Sequence, residues 1–422
     1  MGRMGDSLPI VIKPAFNYFT FRKKDIKPRY RIESMPRTRI PYGVSNYAKL
    51  MAEDYYFVDK TKYIELLENL NEPVLFFLRP RKFGKSLFVS LLQHYYCIAH
   101  KEKFAHLFGE TYIGKNPTPL ANSYYVIVFD FSGINTQEPE KTYKGFTAHI
   151  KDAIRGFQNT YGILSDDAFY ELMESEEPET ITTRFFREFE SQQLGGRLCI
   201  LIDEYDHFAN ELISFRLEEF KNIVSHNGYV RKFYEVIKTA TRNGIVDRFF
   251  ATGVTPVTLD SMTSGFNIGK DLTIDFRFNE MLGFTEEETA ILLSDFGIKS
   301  SEAMALKLKE YYNGSLFAIE GKERLYNSNL VLYFVSEYLS RNNEPAELID
   351  GNIASDYAKI RNILHLTDEH EKAYDQIMQT GEVISGITLK YSFEREFNVY
   401  DFISLLFYNL LLTMKVPIVA EI

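Results

Sequence analysis

Four short apolar runs constrain the fold more than any other feature of the chain. They are Val74-Leu75-Phe76-Phe77-Leu78, Tyr125-Val126-Ile127-Val128-Phe129, Leu198-Cys199-Ile200-Leu201-Ile202 and, less strictly, Arg248-Phe249-Phe250-Ala251-Thr252. Each is too short to be a buried helix and shows no polar alternation, so each predicts a strand covered on both faces. Helical periodicity fills the gaps, at Ser86–His100, Tyr143–Tyr161, Glu179–Gln193 and Val230–Arg242, and Pro178 suits a helix start. Short helices over Asn46–Met51 and Thr61–Leu70 bracket an extended piece at Tyr55–Asp59. Strands alternating with helices give an α/β fold with a mostly parallel sheet covered by helices on both faces. Such sheets bind ligands beyond the carboxyl ends of their strands.

The polar sequence after the first strand fits that rule. Arg79-Pro80-Arg81-Lys82-Phe83-Gly84-Lys85-Ser86 joins a strand to a helix and matches the phosphate-binding loop G-x-x-x-x-G-K-[ST] at Gly84, Lys85 and Ser86, with Arg79 where the first glycine belongs. Gly84 lets the backbone approach a phosphate, and the free N–H groups of the helix start attract anions. Lys85 supplies a point charge to the β- and γ-phosphates, and the Ser86 hydroxyl suits Mg²⁺. Arg79, Arg81 and Lys82 would raise the positive potential of the turn, and Pro80 would stiffen it. The competing reading is a basic turn with an incidental Gly-Lys-Ser.

The third strand ends in Asp203-Glu204, a Walker B arrangement. Asp203 is expected to hold Mg²⁺ and Glu204 to orient or polarise the attacking water. An exposed acidic rim is the alternative, and it weakens when the two motifs are taken together. The fourth strand ends at Thr252-Gly253, where Thr252 is a candidate sensor of the γ-phosphate. Asp130 is a weaker one, and either reads equally as a satisfied strand-end group.

Beyond these motifs, Ile40-Pro41-Tyr42-Gly43-Val44, Tyr56-Phe57-Val58-Asp59-Lys60, Arg79–Ser86, Leu201–Asp206, Thr252–Pro256, Gly283–Glu288, Tyr312-Asn313-Gly314 and Tyr326-Asn327 resemble, in order, the signatures of the AAA-ATPase-like domain family. The resemblance implies a P-loop NTPase of the additional-strand, catalytic-Glu class followed by a helical lid. It also implies ATP and Mg²⁺ as ligands. Arg79, Arg81, Lys82, Phe83, Gly84, Lys85, Ser86 and Leu87 are then expected to hold the nucleotide. Ser86 and Asp203 are expected to serve the metal, and Glu204, Lys85 and Thr252 the chemistry. An Arg-Pro-Arg loop without the first glycine is a habit of this family. Many members continue into a PD-(D/E)XK nuclease-like domain. Tyr391–Met414 looks like the segment before it, and the nuclease core is expected to be missing before Ile422. Tyr312-Asn313-Gly314 departs from the family's commoner Tyr-Asp-Gly.

The expected organisation is a basic leader over 1–39, the ATPase domain over 40–282, and a mainly helical lid with a truncated C-terminal segment over 283–422. Thr285 and Glu288 form an expected capping box at the start of the lid. A hairpin is expected near Leu316–Tyr326, and a turn is the preferred reading of Glu320-Gly321-Lys322 over the E-x-K of a nuclease. His207 reads as a substrate contact or, more simply, as a helix-start residue. Cys97 and Cys199, the two cysteines of the 422-residue chain, read as buried small hydrophobes and rule out a disulfide framework. A reducing, cytoplasmic setting fits. No apolar run reaches the roughly 18 residues of a membrane span.

Charge divides unevenly. Residues 1–40 carry ten Lys/Arg against three Asp/Glu, a net +7, which leaves −17 of the total −10 for the remainder. The basic arm suits nucleic acid or an acidic protein surface, or folds back on its own acidic body. The leading expectation is a Mg²⁺-dependent ATPase or ATP-driven switch, completed by an arginine from the lid or from a neighbour in a homo-oligomer. Arg231, Arg242 and Arg248 are the candidates. The alternatives are a non-hydrolysing interaction module and a remnant of an ATP-dependent nuclease system.

Overall fold

A computed structural model describes residues 10–14, 39–215, 217–224, 227–256, 269–299, 301–321, 323–345, 347–348, 368–391 and 397–415. Most of the basic leader, and Lys322 of the Glu-Gly-Lys sequence, lie outside the described residues. Ten strands occur among those described: β1 Ile10–Pro14, β2 Val74–Leu78, β3 Tyr124–Asp130, β4 Arg197–Asp203, β5 Val246–Gly253, β6 Lys270–Asp271, β7 Asn313–Ser315, β8 Leu325–Tyr326, β9 Val383–Ser385 and β10 Leu412–Met414.

The four apolar runs become β2 to β5, each within two residues of its expected limits. Together with β6 they form a five-stranded parallel sheet in the order β3-β4-β5-β2-β6. All five residues of β2 are buried, as their unbroken apolar character requires. Side chains alternate between two helical layers. Tyr124 and Phe250 meet Tyr96 and Phe88 of helix Lys85–Tyr96. Tyr125 and Phe129 meet Tyr161, Phe189 and Phe233 from the helices Pro139–Tyr161, Pro178–Ser191 and Tyr229–Arg242. This is the P-loop NTPase architecture, with β5 inserted between the loop-bearing strand β2 and the acid-bearing strand β4. The two-residue strand β6 carries too little pattern to be seen in sequence.

Helices Glu286–Asp295, Glu302–Tyr312 and Ser328–Arg341 follow the sheet and share a second core with Phe284, Tyr326 and Tyr56. Both halves of the Thr285–Glu288 capping box are present. The hairpin begins earlier than expected, β7 Asn313–Ser315 pairing with β8, and Gly321 closes a turn through its N–H to the Ala318 carbonyl. Among the described residues no helix is long and apolar enough to cross a membrane.

One part of the leader is not irregular. Ile10–Pro14 is the central strand of a three-stranded antiparallel sheet, flanked by β9 and β10. Pro14 at its end and Pro9 just before it obscure it in the sequence, and its partners lie roughly 370 to 400 positions away. The apolar segment Phe402–Met414 is divided at Asn409, the C-cap of helix Val399–Tyr408, before β10 begins.

Candidate active site

The turn after β2 and the acids at the end of β4 flank the end of β5; the turn and Glu204 face one cavity of about 610 Å³, while Asp203 is not among its lining residues and lies behind Ser86. That volume falls in the range of small-molecule sites. Arg81, Lys82, Phe83, Gly84, Lys85, Ser86, Leu87, Glu204 and His207 all line it. Gly84 takes φ +94° as N-cap of helix Lys85–Tyr96, a conformation only glycine adopts without strain, and Lys82 stands at φ +68°. The Lys85 ammonium is buried and rests on the Pro80 carbonyl at 3.1 Å. Burial lowers its pKa, opposed first by Glu204 and then by Asp203 and Asp206. The two motifs therefore meet.

Asp203 is 7% exposed and is hydrogen-bonded to the Ser86 side chain. Burial pushes its carboxyl up to about 6, against the pull of Ser86 and Lys85. With a folded pKa above the unfolded value, ionisation of Asp203 opposes folding. The penalty grows from about pH 4 to 6 and reaches roughly 2–3 kcal/mol at neutral pH. Asp203→Asn should therefore stabilise the metal-free protein by about that much at pH 7.5 and by little at pH 4, as read by denaturant unfolding in a chelator. An equal effect at both pH values would contradict this electrostatic account.

Glu204 adopts φ +49°, a left-handed conformation that is costly for a non-glycine residue. Burial alone would raise its carboxyl. The hydrogen bond to His207 and the charges of Lys85 and Arg81 outweigh that and lower it to about 2. The His207 Nδ1 lies 2.8 Å from Glu204 Oε2. Asp206 acts as a clamp. Its carboxylate accepts from the N–H groups of Val254 and Thr255, the Thr255 hydroxyl and the Asn210 amide, tying the turn after β4 to the end of β5. A Cβ on Gly253 would stand 2.2 Å from Asp206 Oδ1, so only glycine fits beside the clamp.

Arg79 is the loop residue that the structure does not bring to the cavity. Its guanidinium is 1% exposed and donates to the carbonyls of Leu78 at 2.9 Å, Thr273 at 2.8 Å and Phe278 at 2.9 Å. It stacks between Phe77 and Phe317, 4.1 Å from each ring centroid. Burial lowers its pKa to about 9 despite nearby Asp271. Arg79 thus fastens the loop to the chain around residues 273–279. The reason is local: these carbonyls need a planar, multi-donor cation, and no other fills the place. Arg79→Met keeps the stem and strips the donors, so stability should fall by about 2–4 kcal/mol in a denaturant titration. A loss under about 0.5 kcal/mol would mean that water satisfies these carbonyls.

Thr252 is buried, pairs with Phe77 across the sheet and donates its hydroxyl to the Phe77 carbonyl at 2.8 Å. It is not among the cavity-lining residues. Asp130, opposite Asp203, caps the Ser132 N–H. Arg248 sits at the far end of β5, over the Tyr96 ring at 5.9 Å, and Arg231 pairs with Glu235.

Sequence reasoning gave no role to the other walls of the cavity. A strap bearing Pro41, Val44 and Phe57 forms one wall. The helical part that follows the sheet, the lid expected from the sequence, supplies Gly283, Phe284, Ser328 and Asn329. Ser328 Oγ and Asn329 N–H both lie 3.3 Å from the Lys82 carbonyl, so the lid helix begins directly on the phosphate-loop turn. Lys60 Nζ binds Glu288 at 2.6 and 2.7 Å, and the Tyr56 hydroxyl donates to Asp295 at 3.0 Å, joining strap to lid. The family signature at Tyr56–Lys60 is the signal that could have pointed here.

A family model described as a predicted AAA-ATPase, AAA-ATPase-like, matches residues 41–263, more than half of the chain. The chain belongs to this family. A protein from the vnfD 5′ region of Azotobacter chroococcum mcd 1, itself uncharacterized, is 26% identical to this AAA-ATPase-like chain over 286 residues, covering 66% of this chain and 49% of that protein. The chain thus spans about half the length of the curated relative it matches. Among solved structures, the Walker-type ATPase PABY2304 of Pyrococcus abyssi matches over 76% of this chain and 72% of its own, at 14% identity and a TM-score of 0.36. The fold of this AAA-ATPase-like chain rests instead on its own sheet order and phosphate loop.

Proposed function

We propose that this AAA-ATPase-like chain binds ATP in the cavity, hydrolyses it with Mg²⁺, and passes the nucleotide state to its lid. The observation that carries the reading is the meeting of Lys85 and Ser86 with Glu204 at one cavity, with Asp203 hydrogen-bonded to Ser86 just behind it. The first-turn N–H groups of helix Lys85–Tyr96 and the Lys85 ammonium receive the β- and γ-phosphates. Lys85 exchanges the Pro80 carbonyl for phosphate oxygens. The apolar walls of strap and lid enclose the base. Glu204 accepts a proton from the water that attacks the γ-phosphorus, ADP leaves with the bridging oxygen, and the proton passes on to phosphate.

The donor set fits Mg²⁺. A Ser86 hydroxyl hydrogen-bonded to a carboxylate offers few hard oxygens, and no cluster of three or more His, Cys, Asp or Glu capable of holding a metal occurs among the described residues. Mg²⁺ typically takes one or two protein ligands and completes its shell with phosphate and water. When bound it supplies charge neutralisation on the phosphates. Ser86 and Asp203 are the residues to hold it.

Contact of Ser328 and Asn329 with the Lys82 carbonyl supports transmission to the lid, because the same loop meets the phosphates. The test is Mg²⁺-dependent phosphate release by the full chain, with Glu204→Gln as control. Release no faster than the control would leave a non-hydrolysing binding module.

A further inference from the structure

The sequence offers His207 as a substrate contact or, more simply, as a helix-start residue, and it does open helix His207–Phe215. It also lines the cavity beside Glu204, with Nδ1 2.8 Å from Oε2. Its own N–H bonds the Glu204 carbonyl at 3.1 Å, and the preceding Asp206 is clamped to Val254 and Thr255, so the ring is presented from a fixed turn. Glu204 itself is held in a left-handed backbone conformation that persists only where its surroundings enforce it. Lys85 and Arg81, both in the phosphate loop, also act on this carboxylate, as does the charge of neighbouring Asp203.

A general base must be within hydrogen-bond reach of its water and must keep one orientation. A glutamate on a short turn beside a lysine has several rotamers to choose from. The imidazole removes that freedom by holding one oxygen, and it leaves the second, Oε1, for the water. We infer that His207 is a positioning residue for Glu204, acting on turnover through that carboxylate and not on nucleotide affinity. The inference rests on the ATPase reading given above.

The test compares wild type, His207→Ala, His207→Asn, Glu204→Gln and the double variant His207→Ala/Glu204→Gln. The asparagine amide stands close to where Nδ1 stood, so it keeps a donor. His207→Ala should lower kcat by about 10- to 100-fold, part of the contribution of a general base, while KM and the affinity for ATP stay within about threefold. His207→Asn should recover most of the rate. In the Glu204→Gln background the alanine substitution should cost nothing more, because the group it positions is gone.

A His207→Ala enzyme with the wild-type kcat overturns the inference. So does an equal further loss in the Glu204→Gln background, or an equal loss in His207→Ala and His207→Asn accompanied by a lowered Tm, which marks a purely structural role. Wild type turning over no faster than Glu204→Gln sinks the ATPase reading and this inference with it. The full rate in His207→Ala alongside an active wild type sinks only the inference.

Discussion

Replacing Lys85 with alanine should weaken ATP binding at least about 100-fold, a change worth roughly 2.7 kcal/mol or more. The ammonium is buried, touches one backbone carbonyl and faces Glu204, Asp203 and Asp206. Burial lowers its pKa, so the charged form is held at a cost in the nucleotide-free protein. A phosphate relieves that cost, and this is why the loss on removal should be large. The same argument predicts little loss of stability, because alanine removes a strained cation and not a stabilising one. Titration with a fluorescent ATP analogue and a thermal melt check both halves. Unchanged affinity in a folded Lys85→Ala protein would remove the phosphate cradle from this loop.

Glu204→Gln is expected to separate binding from turnover. The amide is nearly isosteric, so ATP affinity should stay within about threefold, while hydrolysis falls by about 10²- to 10⁴-fold, the usual contribution of a positioned base. The wild-type carboxyl is lowered to about 2, chiefly by His207 and Lys85 working against burial, so it is ionised throughout the physiological range. Glutamine therefore removes both charge and proton acceptor at any working pH. Phosphate release and ATP binding measured on the same preparation decide it. A glutamine variant with the wild-type rate would place the base elsewhere.

The sheet was legible because strands buried on both faces leave unbroken apolar runs, and Val74–Leu78 matches its strand residue for residue. Gly84-Lys85-Ser86 and Asp203-Glu204 were legible because phosphate chemistry demands those groups at strand ends. Arg79 was not. Its neighbours in sequence are cations of the loop, whereas its partners are carbonyls nearly two hundred residues away. Ser328 and Asn329 were invisible for the same reason, since their approach to Lys82 depends on how the lid docks. His207 looked like one polar residue among several at a helix start. Only the distance to Glu204 gives it a job.

Strand β1 has a consequence for biosynthesis. It pairs with Val383–Ser385 on one side and Leu412–Met414 on the other. During translation its partners emerge only after the residues of the five-stranded sheet are already outside the ribosome. Until then Ile10-Val11-Ile12 is an unsatisfied β-branched edge, open to pairing with other nascent chains. Closing a loop of this length is slow but entropically only modestly dearer than a short one. Pairing of β1 is thus the contact that a bulky fusion close ahead of residue 10 would disturb first, far from the cavity.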